Sequence, residues 1–236
     1  SVDAMSTTHQ IPDLGAATLS DSTVENTLEL QIVHALRVQG FVEAGTVVEA
    51  TGLAVDEVVA VLHGLADLGF VRHREGRISG WALTSEGRAY GESLLASELE
   101  SAGCRKGVEE AYRRFLAVNA SFLGLCTDWQ LRPDPDDPDG QTVVNDHADN
   151  EWDNAVIERL VEVDGIVGPI CDDLTELLTR FHGYRHRFTA ALERVRAGEA
   201  DWFARPIIDS YHTIWFQLHE NLLATLGIDR ASEHDS

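Results

Sequence analysis

The segment 46–95 constrains the fold more than any other part of the chain, because it shows two short helices, a ribbon and a third helix in quick succession. In the second helix the apolar residues recur at steps of three and four, which predicts one stripe packed against a core. These residues are Val58, Val61, Leu62, Leu65 and Leu68. Gly69 then predicts the end of the helix, since a residue without Cβ enters the left-handed conformation at little cost.

The next part of this segment has the pattern of a β-hairpin. Residues 70–74 and 78–83 are strand-like and flank the turn residues 75–77. A helix-turn-helix followed by a hairpin predicts a winged helix, which we place at residues 23–103. That fold most often presents one helix and a basic wing to DNA.

Over residues 26–100, the chain resembles the MarR-type winged-helix regulators. The marks of the resemblance are the sequences L-x-x-L-G-F-V and L-T-x-x-G-R, formed by Leu65, Leu68, Gly69, Phe70 and Val71 and by Leu83, Thr84, Gly87 and Arg88. In the second motif we expect Leu83 to end a strand in the core and Thr84 to cap the next helix. The wing is shorter than in that family, and no dimer-forming helices are obvious. The resemblance implies a homodimer bound to an operator in double-stranded DNA.

The charge of the chain limits how it can bind DNA. Its 40 acidic residues against 18 basic ones exclude a generally polyanion-binding surface. The few cations of the N-terminal half cluster on the predicted wing. The candidate DNA-binding residues are His63, Arg72, His73, Arg74, Arg77 and Arg88. The predicted recognition helix is instead acidic, with Asp56, Glu57 and Asp67. A winged helix that contacts a partner protein, or that forms a dimer, therefore stays open as an alternative.

The length of 236 residues predicts two domains. We expect residues 1–22 to form a flexible arm, with residues 1–4 before Met5 left over from expression of the protein. No segment has the apolar length of a membrane span or the pattern of a secretory signal. The composition suggests a high-GC bacterial gene. We therefore expect a cytoplasmic bacterial protein with reduced cysteines at 104, 126 and 171.

Residues 104–236 are predicted to be helical. Amphipathic stripes favour helices at about 108–125, 151–163, 169–196 and 207–226, and four such helices make an antiparallel bundle the expected architecture. The stripe of the first includes Leu116 and Leu123. Between the first two helices, the Pro- and Asp-rich segment 127–150 is interpreted as a solvated acidic loop, since its spacing does not fit a calcium-binding loop. The fold class is thus mainly α, a winged helix followed by a helical bundle.

The predicted bundle is rich in aromatic and polar side chains that its helical periods turn inward. Buried polar groups need partners, because each unpaired one costs about 1–3 kcal/mol. The partners here can be one another, water or a small molecule. The candidate ligand-binding residues are Tyr112, Asn119, Trp129, Trp152, Tyr184, Arg185, His212, Trp215 and His219, with Arg205 as a second candidate cation. Satisfied core or rim residues are the alternative interpretation of each.

Catalytic and metal-binding motifs are not evident. The sequence has no P-loop, nucleophile elbow, C-x-x-C or dinucleotide-binding motif. His182 and His186 have the i, i+4 spacing of a metal pair, but Arg185 and Arg187 beside His186 favour a solvated face. We predict no enzyme activity, no cofactor and no metal. The function that we expect is transcriptional regulation, with a small-molecule effector bound by the helical half. The alternative is an acidic adaptor whose winged helix docks a partner protein.

Overall fold

The computed structural model describes residues 15–134 and 136–229, and the side chains of all of these except 15–26, 138 and 139. It is mainly α-helical, as the sequence predicts, with two small antiparallel hairpins, of which only the first was predicted. The helices are α1 (Gly15–Gln39), α2 (Ala44–Thr51), α3 (Val55–Asp67), α4 (Ser85–Ala102), α5 (Arg105–Gln130), α6 (Asn150–Leu177), α7 (Tyr184–Arg196), α8 (Asp201–Ala204) and α9 (Tyr211–Leu226). The strands are β1 (Val71–Arg74), β2 (Gly80–Leu83), β3 (Leu131–Asp134) and β4 (Asp137–Val144).

Helix α1 begins earlier than the sequence suggests. Residues 15–22, predicted as part of a flexible arm, belong to this helix. The rest of that arm, including the predicted remnant 1–4, lies outside the described residues. The visible side chains of α1 bury Ile32, Val33 and Leu36 against the helices that follow.

Helices α2 and α3 meet at a turn in which Gly52 has φ +69°. Helix α3 buries Val58, Leu62 and Leu65, as its apolar stripe predicts. Leu68 directly follows the end of the helix at Asp67 and is 65% exposed, so the buried stripe does not extend to it. Gly69 follows with φ +80°, which confirms the predicted helix stop.

The hairpin of β1 and β2 pairs Val71 with Leu83 and Arg74 with Gly80. A single antiparallel bridge between Val42 and Trp81 joins the segment before α2 to the edge of β2. Thr84 caps α4 as predicted, since its hydroxyl oxygen accepts a hydrogen bond from the Gly87 backbone N–H at 3.0 Å. The same hydroxyl donates to the Gly69 carbonyl at 2.8 Å and thereby ties the start of α4 to the end of α3.

Helix α6 corrects two predicted boundaries. Instead of ending near Val163 and restarting at Pro169, it continues through Pro169 to Leu177. A proline inside a helix loses one backbone hydrogen bond at a cost of about 3 kcal/mol. The helix continues because its later turns bury a row of apolar side chains, Val167, Ile170, Cys171 and Leu174. The break between α6 and α7 comes instead at residues 178–183, where Gly183 has φ +96°.

The segment 127–150 is also more ordered than predicted. Helix α5 extends to Gln130, and the following residues form the β3–β4 hairpin, with Leu131 opposite Val144. Pro133 in β3 and Pro138 in β4 are compatible with strands because a two-stranded sheet has only edges. After Val144, the buried side chain of Asn145 donates to the Trp129 carbonyl at 3.1 Å, which anchors the hairpin to α5.

Two smaller differences from the predictions concern the buried face of α5 and the start of α9. Leu116 and Leu123 of α5 are 37% and 50% exposed, because the face of α5 that packs on α6 and α9 passes through Phe115 and Phe122 instead. The last helix begins at Tyr211 and not near Ile207, which is fully exposed with φ +76°. Ser210 caps this helix by accepting a hydrogen bond from the Thr213 N–H at 3.3 Å.

The described residues form two main hydrophobic clusters. One joins α1, α2, α3 and the first hairpin, and the other joins α5, α6, α7, α8 and α9. Leu30, Leu95 and Ala224 form a small third cluster between them, and Leu99 near the end of α4 already packs in the second. Helix α4 therefore connects the two halves. In the part of the chain that the structure describes, no helix combines the length and apolarity that crossing a bilayer requires.

Candidate nucleic-acid interface

The β1–β2 hairpin has two faces, because side chains alternate along each strand. Val71 and Leu83 are buried on the inner face, together with Trp81. The ring of Trp81 contacts two imidazoles, that of His63 in α3 at 5.2 Å and that of His73 in β1 at 4.5 Å between ring centres. Both histidines are exposed. The structure thus brings these two predicted DNA-binding residues together around one buried tryptophan and fixes α3 relative to the hairpin.

The outer face carries Arg72 and Arg74, which lie opposite Ala82 and Gly80. Both arginines are exposed, and they line an open depression together with Phe41, His73 and Ala82. Arg77 lies in the turn between the strands and is also exposed. The predicted cations of the hairpin are therefore divided between its outer face and its tip. The contacts of Trp81 with His63 and His73 lie on the inner face.

Most arginines of the described chain are held by carboxylates. Arg37, for example, pairs with Glu92 and Glu220. The described arginines that form no ion pair with a described carboxylate are Arg72, Arg74, Arg77, Arg88 and Arg196. The first three of these lie on the hairpin. In a chain of formal net charge −22, cations without such a partner are available to an external anion.

Arg88 lies in a different place from the hairpin cations. It lines a narrow cavity of about 10 Å³ between α1, α4 and α9, together with His34, Arg37 and Glu92. The L-T-x-x-G-R motif predicts Arg88 as a DNA contact, but the structure places this residue at the junction of the two halves. Its neighbour Gly87 has a packing role, because a Cβ at that position would lie 1.8 Å from the Phe70 carbonyl oxygen.

Helix α3 presents an acidic and small-residue surface. The exposed residues of this helix are Val55, Asp56, Glu57, Ala60, His63, Gly64 and Asp67. One of its carboxylates has a local role, because Glu57 Oε2 accepts a hydrogen bond from the Ala54 backbone N–H at 3.2 Å. Asp56 and Asp67 keep the helix electronegative. The hairpin, and not α3, is therefore the cationic part of this region.

Five of the predicted ligand-binding residues lie where α5 faces α9: Tyr112, Asn119, His212, Trp215 and His219. Trp215 Nε1 donates a hydrogen bond to Asn119 Oδ1 at 2.8 Å. The imidazole of His219 lies 5.2 Å from the Phe115 ring. Burial lowers the pKa of His212, which favours its neutral form. These groups contact one another and their aromatic neighbours directly.

The other predicted ligand-binding residues lie apart from this group. Trp129 stacks on Phe203 with ring centres 4.5 Å apart, and Trp152 Nε1 donates to the Asp128 carbonyl at 2.8 Å. The Tyr184 hydroxyl accepts a hydrogen bond from Asn221 Nδ2 at 3.3 Å. Neither the narrow cavity beside Arg88 nor the open depression beside Phe41 includes any of these residues or any of the α5–α9 group.

The two candidate cations of the helical half are held differently. Arg205 is exposed and pairs with Asp201 one helical turn away. Arg185 lies in the notch above Gly168, with Nη1 3.9 Å from Asp164 Oδ2. The Tyr211 hydroxyl donates to the same carboxyl group at 3.1 Å. Burial raises the pKa of Asp164 above its ordinary value.

The histidine pair at 182 and 186 does not share a helix face. His182 precedes α7, and the left-handed Gly183 separates it from His186. Both are exposed. Within the described residues no cluster of three or more histidine, cysteine or carboxylate side chains has the arrangement of a metal site.

The three cysteines form no disulfide. Cys126 and Cys171 are buried, and burial raises the pKa of each thiol to about 12. Since the thiolate is the reactive form, neither is suited to nucleophilic chemistry near neutral pH.

A polar junction between the halves was not predicted from the sequence. Its centre is Arg180, which lies in the short turn between α6 and α7. Arg180 Nε donates to Glu98 Oε2 of α4 at 2.7 Å, and Nη2 donates to Thr225 Oγ1 of α9 at 2.6 Å. Nη1 donates to Asn221 Oδ1. Arg37 of α1 joins Glu220 of α9 at 2.8 Å. Local sequence patterns could not indicate these pairs, because their partners lie on helices that are far apart in the sequence.

His34 is the other unpredicted residue of this junction. It is buried, and neither ring nitrogen has a hydrogen-bond partner in the described part of the chain, although Asn221 lies beside the ring. Burial, and then the charges of Arg180 and Arg37, hold the pKa of His34 well below its ordinary value of 6.5. The sequence signal was a single histidine within the apolar run of α1, flanked by Val33 and Ala35.

A pH titration of stability tests this environment. Because the folded protein keeps His34 neutral, the unfolded chain binds the extra proton as the pH falls below about 6.5. We expect the free energy of unfolding to fall by up to about 1.4 kcal/mol per pH unit on this account, until the lower folded pKa is reached. Urea denaturation between about pH 7 and pH 5 should show a shallower slope for His34→Gln. His186→Gln, at an exposed site, should keep the wild-type slope; equal slopes in all three proteins would contradict the prediction.

A second unpredicted cluster fixes the start of α6. His147 Nδ1 lies 2.9 Å from Asp153 Oδ2, and Asn145 Nδ2 donates to Asp153 Oδ1 at 2.8 Å. His147 has φ +58°, a conformation that histidine adopts more often than most residues. Its ring packs against Trp129 at 4.5 Å.

The chain matches no protein-family model, and no curated protein or solved structure shows significant similarity to it.

Proposed function

We propose that this protein is a DNA-binding transcriptional regulator whose N-terminal half acts as a winged helix. The observation that carries the proposal is the state of the hairpin cations: Arg72, Arg74 and Arg77 are exposed and form no ion pair with a described carboxylate, in a chain that pairs most of its other arginines. Phosphate oxygens are the anions that guanidinium groups on a wing contact in DNA complexes.

The arrangement of the helices supports the same proposal. α2 and α3 follow each other across a short turn, as the two helices of a helix-turn-helix do, and His63 of α3 contacts Trp81 of the hairpin. A duplex could therefore contact α3 and the hairpin tip together. The acidic side chains Asp56 and Asp67 oppose close contact of α3 with phosphates. We infer that the hairpin supplies most of the binding free energy, and α3 mainly orients the complex.

The effector and the homodimer belong to the same proposal. An effector in the helical half would replace direct contacts such as the hydrogen bond between Trp215 and Asn119. Its signal would reach the N-terminal half through the junction at Arg180 and Arg37, because these residues contact α4 and α9. Two copies on one palindromic operator would then change the spacing of their hairpins, with a coupling of typically about 1–3 kcal/mol.

The test is fluorescence anisotropy with labelled duplex DNA from upstream of the protein's own gene. We expect binding at about 50 mM salt that weakens steeply at about 200 mM, because bound arginines release counterions from the phosphates. Changing Arg72, Arg74 and Arg77 together to alanine should reduce the affinity by at least about tenfold, with a shallower salt dependence.

The matched control is Arg196→Ala, which removes an exposed arginine of α7 that also forms no ion pair with a described carboxylate. This variant should bind the duplex as the wild type does. If both variants lose affinity equally, the hairpin is not the contact surface. Absence of duplex binding by the folded wild type would favour an acidic adaptor, whose specific support is the electronegative surface of α3.

A further inference from the structure

The outer face of the β1–β2 hairpin has a feature that duplex binding does not use. Opposite Arg72 and Arg74 the second strand carries only Ala82 and Gly80. Because these residues have little or no side chain, the surface of β2 lies below the level of the arginine side chains on β1. An open depression results, and the ring of Phe41 forms one of its walls.

Phe41 is held in place and yet accessible. A Cβ at position 80 would lie 2.9 Å from its Cζ atom, so the ring rests on Gly80 in a space that any larger residue would fill. The neighbouring residue Val42 is fixed by two backbone hydrogen bonds with Trp81, at 2.7 and 3.1 Å. The Phe41 side chain is nevertheless 40% exposed. An aromatic ring thus lies at the surface with its backbone anchored.

The charges around this ring favour an anion. Arg72 and Arg74 are two residues apart on one strand, so they lie on the same face about 7 Å apart along it. Glu75, the carboxylate nearest in sequence to the two arginines, lies 3.8 Å from His73 Nδ1, and the exposed Glu43, two residues beyond Phe41, forms no ion pair with either arginine. The depression therefore combines an exposed ring with two guanidinium groups that form no ion pair with a described carboxylate.

An exposed ring beside a row of cations is the arrangement that binds unpaired nucleotides, since the ring stacks on a base and the cations contact the backbone phosphates. A duplex offers its phosphates to the arginines but keeps the faces of its internal bases covered. We propose that the outer face of the hairpin binds a short unpaired stretch of a DNA strand, with Phe41 stacked on a base and Arg72 and Arg74 on neighbouring phosphates.

This inference rests on the proposed function, because it uses the same hairpin arginines, and it adds Phe41, which lies on the same outer face as Arg72 and Arg74. Trp81 and His63 lie on the inner face, towards α3, whereas Phe41 lies on the outer face. A strand end, a melted region or a looped-out base next to a bound duplex would offer both an unpaired base for Phe41 and phosphates for the arginines.

The experiment compares an oligothymidine of about 12 nucleotides, within the usual site size of such surfaces, with a duplex from upstream of the gene. The variant is Phe41→Leu, which keeps an apolar cover on Gly80 but removes the ring. We expect it to lower the affinity for oligothymidine by roughly tenfold, since one stacked base contributes on that scale, and to leave duplex affinity unchanged. Phe41→Trp should retain single-strand binding.

The matched control is Phe216→Leu, the same substitution at an aromatic residue of α9 that is 46% exposed. It should bind both probes as the wild type does. Wild-type affinity of Phe41→Leu for oligothymidine, or an equal loss for both probes, overturns the inference. If the wild type binds only the duplex, and the arginine variant loses it, the proposed function stands and this inference is wrong. If the wild type binds neither probe, both are wrong.

Discussion

Replacing Arg180 with methionine is expected to lower the free energy of unfolding by about 3 kcal/mol, because it removes one partner from a nearly buried ion pair. The Arg180 side chain is only 10% exposed, and its guanidinium group contacts Glu98, Asn221 and Thr225. Methionine keeps much of the apolar stem but leaves the Glu98 carboxylate at the junction without its cation. Urea denaturation measures the change.

The control and a double substitution make this result specific. Arg196→Met removes an exposed arginine of the same charge and should change stability by less than about 0.5 kcal/mol. Combining Arg180→Met with Glu98→Gln should cost less than the sum of the two single changes, since the second removes the unpaired charge. Additive losses would mean that the contact between Arg180 and Glu98 contributes little.

Replacing Gly87 with alanine is expected to lower the free energy of unfolding by about 1–3 kcal/mol, the usual cost of forcing extra volume into a packed site. Helix propensity alone predicts the opposite sign, because alanine is favoured over glycine by about 1 kcal/mol inside a helix. The clash decides the sign: the new Cβ would lie 1.8 Å from the carbonyl oxygen and 2.7 Å from the carbonyl carbon of Phe70. Backbone on both sides must move, and no side chain can turn away.

The matched control is Gly64→Ala in α3, where a Cβ would have no heavy atom within 4 Å. This variant should be as stable as the wild type or slightly more so, for the propensity reason given above. Thermal and urea unfolding of both variants, with circular dichroism to verify the fold, measure the difference. If Gly87→Ala is stabilised to the same extent as Gly64→Ala, α4 does not approach the hairpin as closely as the structure has it.

Much of the N-terminal half could be predicted because its signals are local. A glycine with positive φ ends α3 at position 69, and a threonine side chain caps α4 at position 84. The residues that determine these ends lie within three or four positions of them in sequence. The buried stripe of α3 is equally local, since it follows from the helical period.

The helical half was less predictable, because local and tertiary effects disagree there. Pro169 is a local signal for a helix start, but α6 continues through it where packing of residues such as Ile170 and Leu174 outweighs one lost hydrogen bond. The prolines of residues 131–144 suggest a loop, and yet the segment pairs as a hairpin anchored by Asn145. Helical period alone also did not decide that Leu116 faces outward.

The candidate site divides in the same way. The sequence by itself determined that the arginines at 72, 74 and 77 lie on one hairpin, because turn residues and strand alternation act over a few positions. Only the tertiary structure decided that these arginines have no described carboxylate partner, that Phe41 rests on Gly80, and that Arg88 lines the junction. The physical reason is distance along the chain: Arg37 finds Glu220 across 183 positions, and such pairings depend on how whole helices pack.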